Sequence, residues 1–223
     1  TDDYDPSLIN CDCDLPSLVK GLARQGQGRI CLYGPSGTGK SAFAAWLART
    51  LDRPLLLRTA SDLLNSLVGG TEERIARMFQ EARQSKAVLL IDEADSFLRG
   101  RQHAHQTWEV TQVNELLVRM EQFDGILLCA TNRVDDLDAA VRRRFDIKAR
   151  FWPLAAEQTE RCFRRTLTEA GTLAAEDLSD DLLTRIWGLG ALTLGDFATV
   201  RRRASLLGQT LNAELLLATL TEE

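Results

Sequence analysis

The chain has 223 residues, is 44% hydrophobic and 26% charged, and carries a net charge of −5 with a pI near 5.2. That composition belongs to an ordinary globular protein of one sizeable domain, or of a larger domain with a small one attached. It excludes a Lys-rich nucleic-acid tail, and no apolar run approaches the roughly 20 residues that span a bilayer.

The acidic start, TDDYDPSLIN, does not read as a signal peptide, and the missing Met predicts a piece of a longer protein. Of the five cysteines, Cys11 and Cys13 form CDC without further metal ligands nearby, and Cys31 and Cys129 sit in apolar strand-like runs. Reduced thiols and a cytoplasmic setting follow.

RICLYG (29–34) predicts a strand, and SAFAAWLARTL (41–51) a helix with one apolar face. PLLLRTA (54–60) is a second strand, and Ser61 is the expected cap of the short helix after it. TEERIARMFQEARQS follows as a longer helix, with Ile75, Met78, Phe79 and Ala82 at helical spacing. AVLLIDEAD (87–95) is a buried strand ending in carboxylates, and TWEVTQVNELLVRMEQF (107–123) a helix. GILLCATN (125–132) is a strand, DAAVRRRF a short helix, and DIKARF leads to the last strand. Alternation of this kind predicts a parallel sheet covered by helices on both faces. After Trp152-Pro153 only helices are expected: 157–170, 178–188, 194–208 and 211–220. The expected domains are therefore 1–152 and 153–223.

Between the first strand and helix lies GPSGTGKS, Gly34 to Ser41. Such a loop turns successive backbone N–H groups towards one anion, helped by the helix N-terminus. Gly34, Gly37 and Gly39 let the backbone approach phosphate. Lys40 supplies a cation for the β- and γ-phosphates, and the Ser41 hydroxyl can ligate Mg²⁺. A plain glycine turn leaves Lys40 and Ser41 unexplained.

VLLIDEAD supplies Asp92 to hold Mg²⁺ through water and Glu93 to take a proton from an attacking water. Alone, these acids would be a solvated strand end. Asn132 closes an apolar strand, where its amide could touch the γ-phosphate or orient the water. Arg142, Arg143 and Arg144 are consecutive, so they do not share one helix face. They are either three solvated cations or an arginine finger offered to a neighbouring subunit.

With these four motifs in order, the chain resembles the AAA+ superfamily, and within it the AAA family proper, from about Tyr4 to Leu220. GPSGTGKS matches Walker A, VLLIDEAD Walker B, CATN sensor 1, and DAAVRRRFD the arginine-finger segment. RRRFDIKARFWPL looks especially like the members that disassemble filaments and membrane-bound polymers. The resemblance implies an α/β P-loop fold: a five-stranded parallel sheet with flanking helices, then a small helical lid.

It also implies ATP and Mg²⁺ as cofactors. ATP would be held by Gly34, Pro35, Ser36, Gly37, Thr38, Gly39, Lys40, Ser41 and Ala42. Ile9 and Asn10 would lie near adenine and Gly195 in the lid. Ser41 and Asp92 would hold the metal. Lys40, Glu93, Asn132, Arg143 and Arg144 would serve catalysis.

By the same resemblance the active assembly would be a ring, usually a hexamer, that remodels or unfolds a protein partner. Where many AAA+ proteins place a lid arginine, LTLGDFATV has Gly195 and Asp196, as the AAA family proper tends to. The first pore loop would be Leu67-Val68-Gly69, with Leu67 in place of the usual aromatic residue, so its grip on a polypeptide would be weaker. His103 and His105 read as a solvated loop near the second pore loop, where Arg99 and Arg101 would meet an acidic substrate. Trp46, Trp108, Trp152 and Trp187 read as core or interface packing. The other functional readings are a nucleotide-gated DNA loader, a slow nucleotide switch, and a small-molecule kinase. The acidic pI, intact Glu93 and separate helical segment weigh against them in turn.

Overall fold

The computed structural model describes residues 4–64, 70–96, 107–137, 139–172 and 178–222. Six strands form one sheet: β1 (Asn10–Cys11), β2 (Gly28–Tyr33), β3 (Leu55–Thr59), β4 (Val88–Asp92), β5 (Ile126–Thr131) and β6 (Ile147–Trp152). Their order is β1-β6-β2-β5-β4-β3, and β2 to β6 pair in parallel throughout. The α/β class and the five parallel strands agree with the sequence. The two-residue β1 is an addition at the edge beside β6.

Val88–Ile91 and all of β5 are buried, because helices cover both faces of the sheet. On one face Leu89, Ile91 and Leu127 pack with Ile75 and Met78 of α4 (Gly70–Ser85) and Leu116 and Met120 of α5 (Thr107–Gln122). The remaining helices of this region are α1 (Leu15–Gln25), α2 (Lys40–Thr50), α3 (Ala60–Leu64) and α6 (Ala139–Arg142).

Two local findings differ from the sequence reading. Helix α1 was not among the expected elements, yet its signals are all present. Asp14 accepts the Ser17 N–H at 3.2 Å, Pro16 sits in the first turn, and Gly26 ends the helix at φ +71°. Leu15, Leu18, Val19 and Leu22 bury one face. In α3, Ser61 is not the cap. Thr59 Oγ1 accepts the Asp62 N–H at 3.3 Å while Asp62 accepts the Thr59 N–H at 2.9 Å, so the helix starts one residue earlier than Ser61.

The chain divides into two compact units. The first comprises Thr1–Tyr4, Cys11–Gly34 and Lys40–Arg150; the second comprises Asp5–Asn10, Pro35–Gly39 and Phe151–Glu223. The second contains α7 (Ala156–Glu169), α8 (Asp180–Trp187), α9 (Leu194–Leu207) and α10 (Ala213–Glu222) around Phe163, Ile186, Phe197 and Leu216.

Trp46 packs against Tyr4 and Phe43, with ring centroids 5.6 and 5.8 Å away. Trp152 and Trp187 are exposed rather than core residues, and the Trp187 indole donates to Glu160 at 3.0 Å. The Trp108 side chain, Leu67-Val68-Gly69, Arg99, Arg101, His103 and His105 lie outside the described residues. Cys31 and Cys129 are fully buried, and burial pushes the Cys31 thiol up to about 12, so it is an inert core residue. Among the described residues no helix is long and apolar enough to cross a membrane.

Candidate nucleotide site

Strands β2 and β5 are neighbours, but the chain leaves them for opposite sides of the sheet, to β3 and to β6. Loops diverge at such a point and leave a crevice beyond the strand ends. Gly34 follows β2 and Asn132 follows β5, and the Gly34 N–H donates to the Thr131 carbonyl at 3.3 Å.

Lys40, the first residue of α2, is buried at 7% exposure. Its Nζ donates to the Gly34 carbonyl at 2.8 Å and to Asn132 Oδ1 at 2.9 Å. The ammonium thus joins the ends of both strands. Burial lowers its pKa, and the carboxylates of Asp92 and Asp95 pull against that shift.

Ser41 Oγ donates to Asp92 Oδ2 at 2.5 Å, and Asp92 Oδ1 accepts the Glu93 N–H at 2.9 Å. Glu93 is exposed and has φ +54°, a left-handed conformation that costs a non-glycine residue about 1 kcal/mol. The turn directs the chain out of β4 immediately after the Asp92 carboxylate. Sequence reasoning passed over Asp95 and Thr131. Asp95 Oδ1 accepts from Thr131 Oγ1 at 3.1 Å and from the Asn132 N–H at 3.4 Å, so it fixes the end of β5 that carries Asn132. The signal was present: Asp95 lies three positions after Asp92 in DEAD, in the one-turn 3₁₀ helix Ala94–Ser96.

The tip of the glycine loop, Pro35–Gly39, belongs to the second unit. Gly37 and Gly39 have φ +77° and +96°. The Gly37 carbonyl accepts the Gly195 N–H at 2.9 Å, and the backbones run so close that a Cβ on Gly195 would lie 2.8 Å from Gly37 Cα. A Cβ on Gly37 would collide with Thr193 Oγ1. Thr38 is buried and donates to the Pro35 carbonyl at 2.8 Å, while Pro35 and Ser36 are exposed. Asp196 caps α9, accepting from Thr193 N–H and Oγ1 at 2.7 and 2.9 Å. Ile9 is buried, its Cδ1 2.9 Å from where a Cβ on Gly39 would stand, and the Asn10 amide donates to the Pro153 carbonyl at 2.7 Å.

Gly195 is therefore a residue that no larger side chain replaces without moving the loop. Gly195→Ala is expected to lower stability by about 1–3 kcal/mol, read as a fall in denaturation midpoint. A midpoint at or above wild type would show that the loop yields without strain.

The arginines separate in character. Arg144 is tied into its own unit: Nε lies 2.8 Å from Glu121 of α5, and Nη1 donates to the Ala140 carbonyl at 2.9 Å. Arg142 lies 3.9 Å from Asp135. Arg143 is exposed, and its side chain makes no hydrogen bond or ion pair among the described residues.

The family described as "ATPase family associated with various cellular activities (AAA)" matches residues 30–152, more than half of the 223-residue chain. The chain belongs to the AAA family of ATPases. As an AAA domain it binds nucleotide, and its glycine loop, carboxylate pair and strand-end Asn all fall inside the matched stretch.

The ATP-dependent zinc metalloprotease FtsH of Mycobacterium tuberculosis (strain CDC 1551 / Oshkosh) is 32% identical over 223 residues, 93% of this chain and 28% of that protein. The proteasome-associated ATPase of Nocardia farcinica is 32% identical over 198 residues, 75% of this chain and 34% of that protein. The Cell division cycle protein 48 homolog of Archaeoglobus fulgidus is 33% identical over 146 residues, 62% of this chain and 20% of that protein. The chain thus spans a fifth to a third of the length of these relatives. A chain in the structure of the E. coli MS115-1 HORMA:CdnC:Trip13 complex shares the fold, with a TM-score of 0.68 at 20% identity over 95% of this chain and 78% of that one.

Proposed function

We propose that this AAA domain hydrolyses ATP with Mg²⁺ and couples the turnover to remodelling a protein partner, working as a ring of copies, a hexamer. The pair of linkages Lys40–Asn132 and Ser41–Asp92 carries this reading, because it collects a cation, a polar amide, a hydroxyl and a carboxylate at the mouth of one loop.

Ser41 Oγ and Asp92 are hard oxygen donors of the kind Mg²⁺ takes, and they already touch. Among the described residues no three His, Cys, Asp or Glu gather into a metal site, which suits an ion that takes its remaining ligands from phosphate and water. When bound, that ion would neutralise charge on the transferring phosphoryl group. Lys40 meets phosphate charge from the loop, and Gly34 to Ala42 supply backbone N–H groups. Glu93 takes a proton from the attacking water, and Asn132 orients the water or the γ-phosphate. Ile9, Asn10 and Gly195 are the proposed neighbours of the nucleotide in the second unit.

Arg143 and Arg144 do not fit their own chain's site. The Arg29 guanidinium holds Asp146, and Ile147 pairs with Ile30, so the arginine segment joins the sheet at the start of β2. The glycine loop leaves its far end. Over the six residues of β2, at a rise of about 3.3 Å each, the ends lie about 20 Å apart, beyond the reach of an arginine side chain. This supports action on a neighbouring copy.

A protein partner is supported by the names of the relatives, one a protease and one a proteasome-associated ATPase. Proteolysis itself is not carried by these residues. The sequence has two histidines, His103 and His105, too close in sequence for an H-E-x-x-H zinc site. Leu67 and Val68 remain the proposed grip on that partner, and five free cysteines fit a reducing, cytoplasmic setting.

The test is ATPase rate against protein concentration. Specific activity should rise with concentration. Arg143→Ala should abolish that rise at unchanged thermal stability, by about 10³-fold in turnover, the range of an arginine finger. Arg144→Ala should lose stability as well, because Glu121 is left without its partner. A flat rate indifferent to Arg143 would remove the ring mechanism.

A further inference from the structure

The first unit holds a cavity of about 640 Å³ at the amino ends of β2 and β6, the opposite end of the sheet from the glycine loop. We propose that this cavity is a second binding site, for a small ligand with an apolar body and one cationic group. Its size matches sites that enclose a single small organic molecule. The apolar body would rest on Leu18, Leu22, Ile30, Phe123 and Ile147.

Charge sets the sign of the ligand. Three carboxylates line the cavity, Asp14, Glu121 and Asp146, against one cation, Arg29. Arg29 is already spent on Asp146, with nitrogen–oxygen distances of 3.0 and 3.2 Å, and Glu121 is paired with Arg144 at 2.8 Å, which leaves Asp14. Asp14 is held ionised as the cap of α1 by the hydroxyl and N–H of Ser17, which keep its carboxyl below the usual range. An incoming cation therefore finds Asp14, whose carboxylate among the described residues is bonded only by Ser17, while the lining offers an anion no unspent cation.

Gly21 supplies the independent observation. It lies inside α1, where glycine is disfavoured. Nothing demands glycine there: its backbone is not left-handed, and a Cβ would meet no atom within 4 Å. Gly28 is different, since Leu22 Cδ2 would stand 2.8 Å from its Cβ. Gly21 lines the cavity with open space beside it, so a larger residue there would occupy part of the cavity.

The experiment titrates the full chain with phenylbutylamine, following ¹³C-methyl resonances. Phenylbutyrate is the charge-reversed control. The expected result is saturable shifts confined to Leu18, Leu22, Ile30 and Ile147 for the amine and none for the acid. Gly21→Leu should weaken amine binding about tenfold or more by filling the cavity. Asp14→Asn keeps the helix cap, because Asn caps as well as Asp, and should weaken the amine with the fold intact. Equal binding of amine and acid, unchanged affinity in both variants, or no saturable shift would overturn the proposal.

Discussion

Glu93→Gln should leave nucleotide bound and unspent, with turnover down by about 10²–10⁴-fold, the usual contribution of a positioned general base. The amide keeps the size of the carboxylate but loses its charge and its capacity to take a proton. The backbone at Glu93 is already left-handed, and its N–H is held by Asp92 at 2.9 Å. Gln adopts that conformation at the same cost, so the turn is preserved. Nucleotide affinity and thermal midpoint should therefore match wild type. Steady-state ATPase rate and equilibrium titration of ATP, measured on one preparation, separate the two effects. Wild-type turnover in this variant would take Glu93 out of the chemistry, and lost affinity would assign it to binding.

Lys40→Met should do the reverse, removing nucleotide binding with only a small change in the fold. Met has nearly the volume of Lys and no charge. It leaves the buried Gly34 carbonyl without this donor, a loss of about 1–3 kcal/mol, while the Oδ1 of exposed Asn132 can turn to water. Relief from holding a buried ammonium, whose pKa burial lowers, offsets part of that loss. Against phosphate there is no such offset. Affinity for ATP is expected to fall about a hundredfold, close to 2.7 kcal/mol. Calorimetric titration with ATP checks this directly. Unchanged affinity in Lys40→Met would show that the loop's N–H groups hold the phosphates unaided.

The sequence placed the elements that carry the site because their signals are local. A strand ending in glycine, an apolar run ending in acids and an apolar run ending in Asn each show within a few residues. The same was true of α1, whose Asp14, Pro16 and Gly26 mark both its ends, although it was passed over. The error at Ser61 was also local in cause. Thr59 and Asp62 exchange hydrogen bonds across the start of α3, and a β-strand residue rather than the first polar residue of the helix acts as its cap.

Other features depended on residues far apart in the chain. The partner of Lys40 is Asn132, and the role of Asp95 exists only because Thr131 is beside it. Both follow from the strand order that puts β4 and β2 on either side of β5. Likewise Trp152 and Trp187 are large and apolar, yet packing left them exposed.

The sequence alone determined the class of fold and the family, and it located the glycine loop and the Asp92–Glu93 pair, since each is written in contiguous residues. Tertiary structure alone decided which arginine is tied and which is free to reach outward among the described residues, and why position 195 admits only glycine. It also opened a cavity at Gly21. Each of those depends on what stands opposite in space, and distance along the chain carries no record of it.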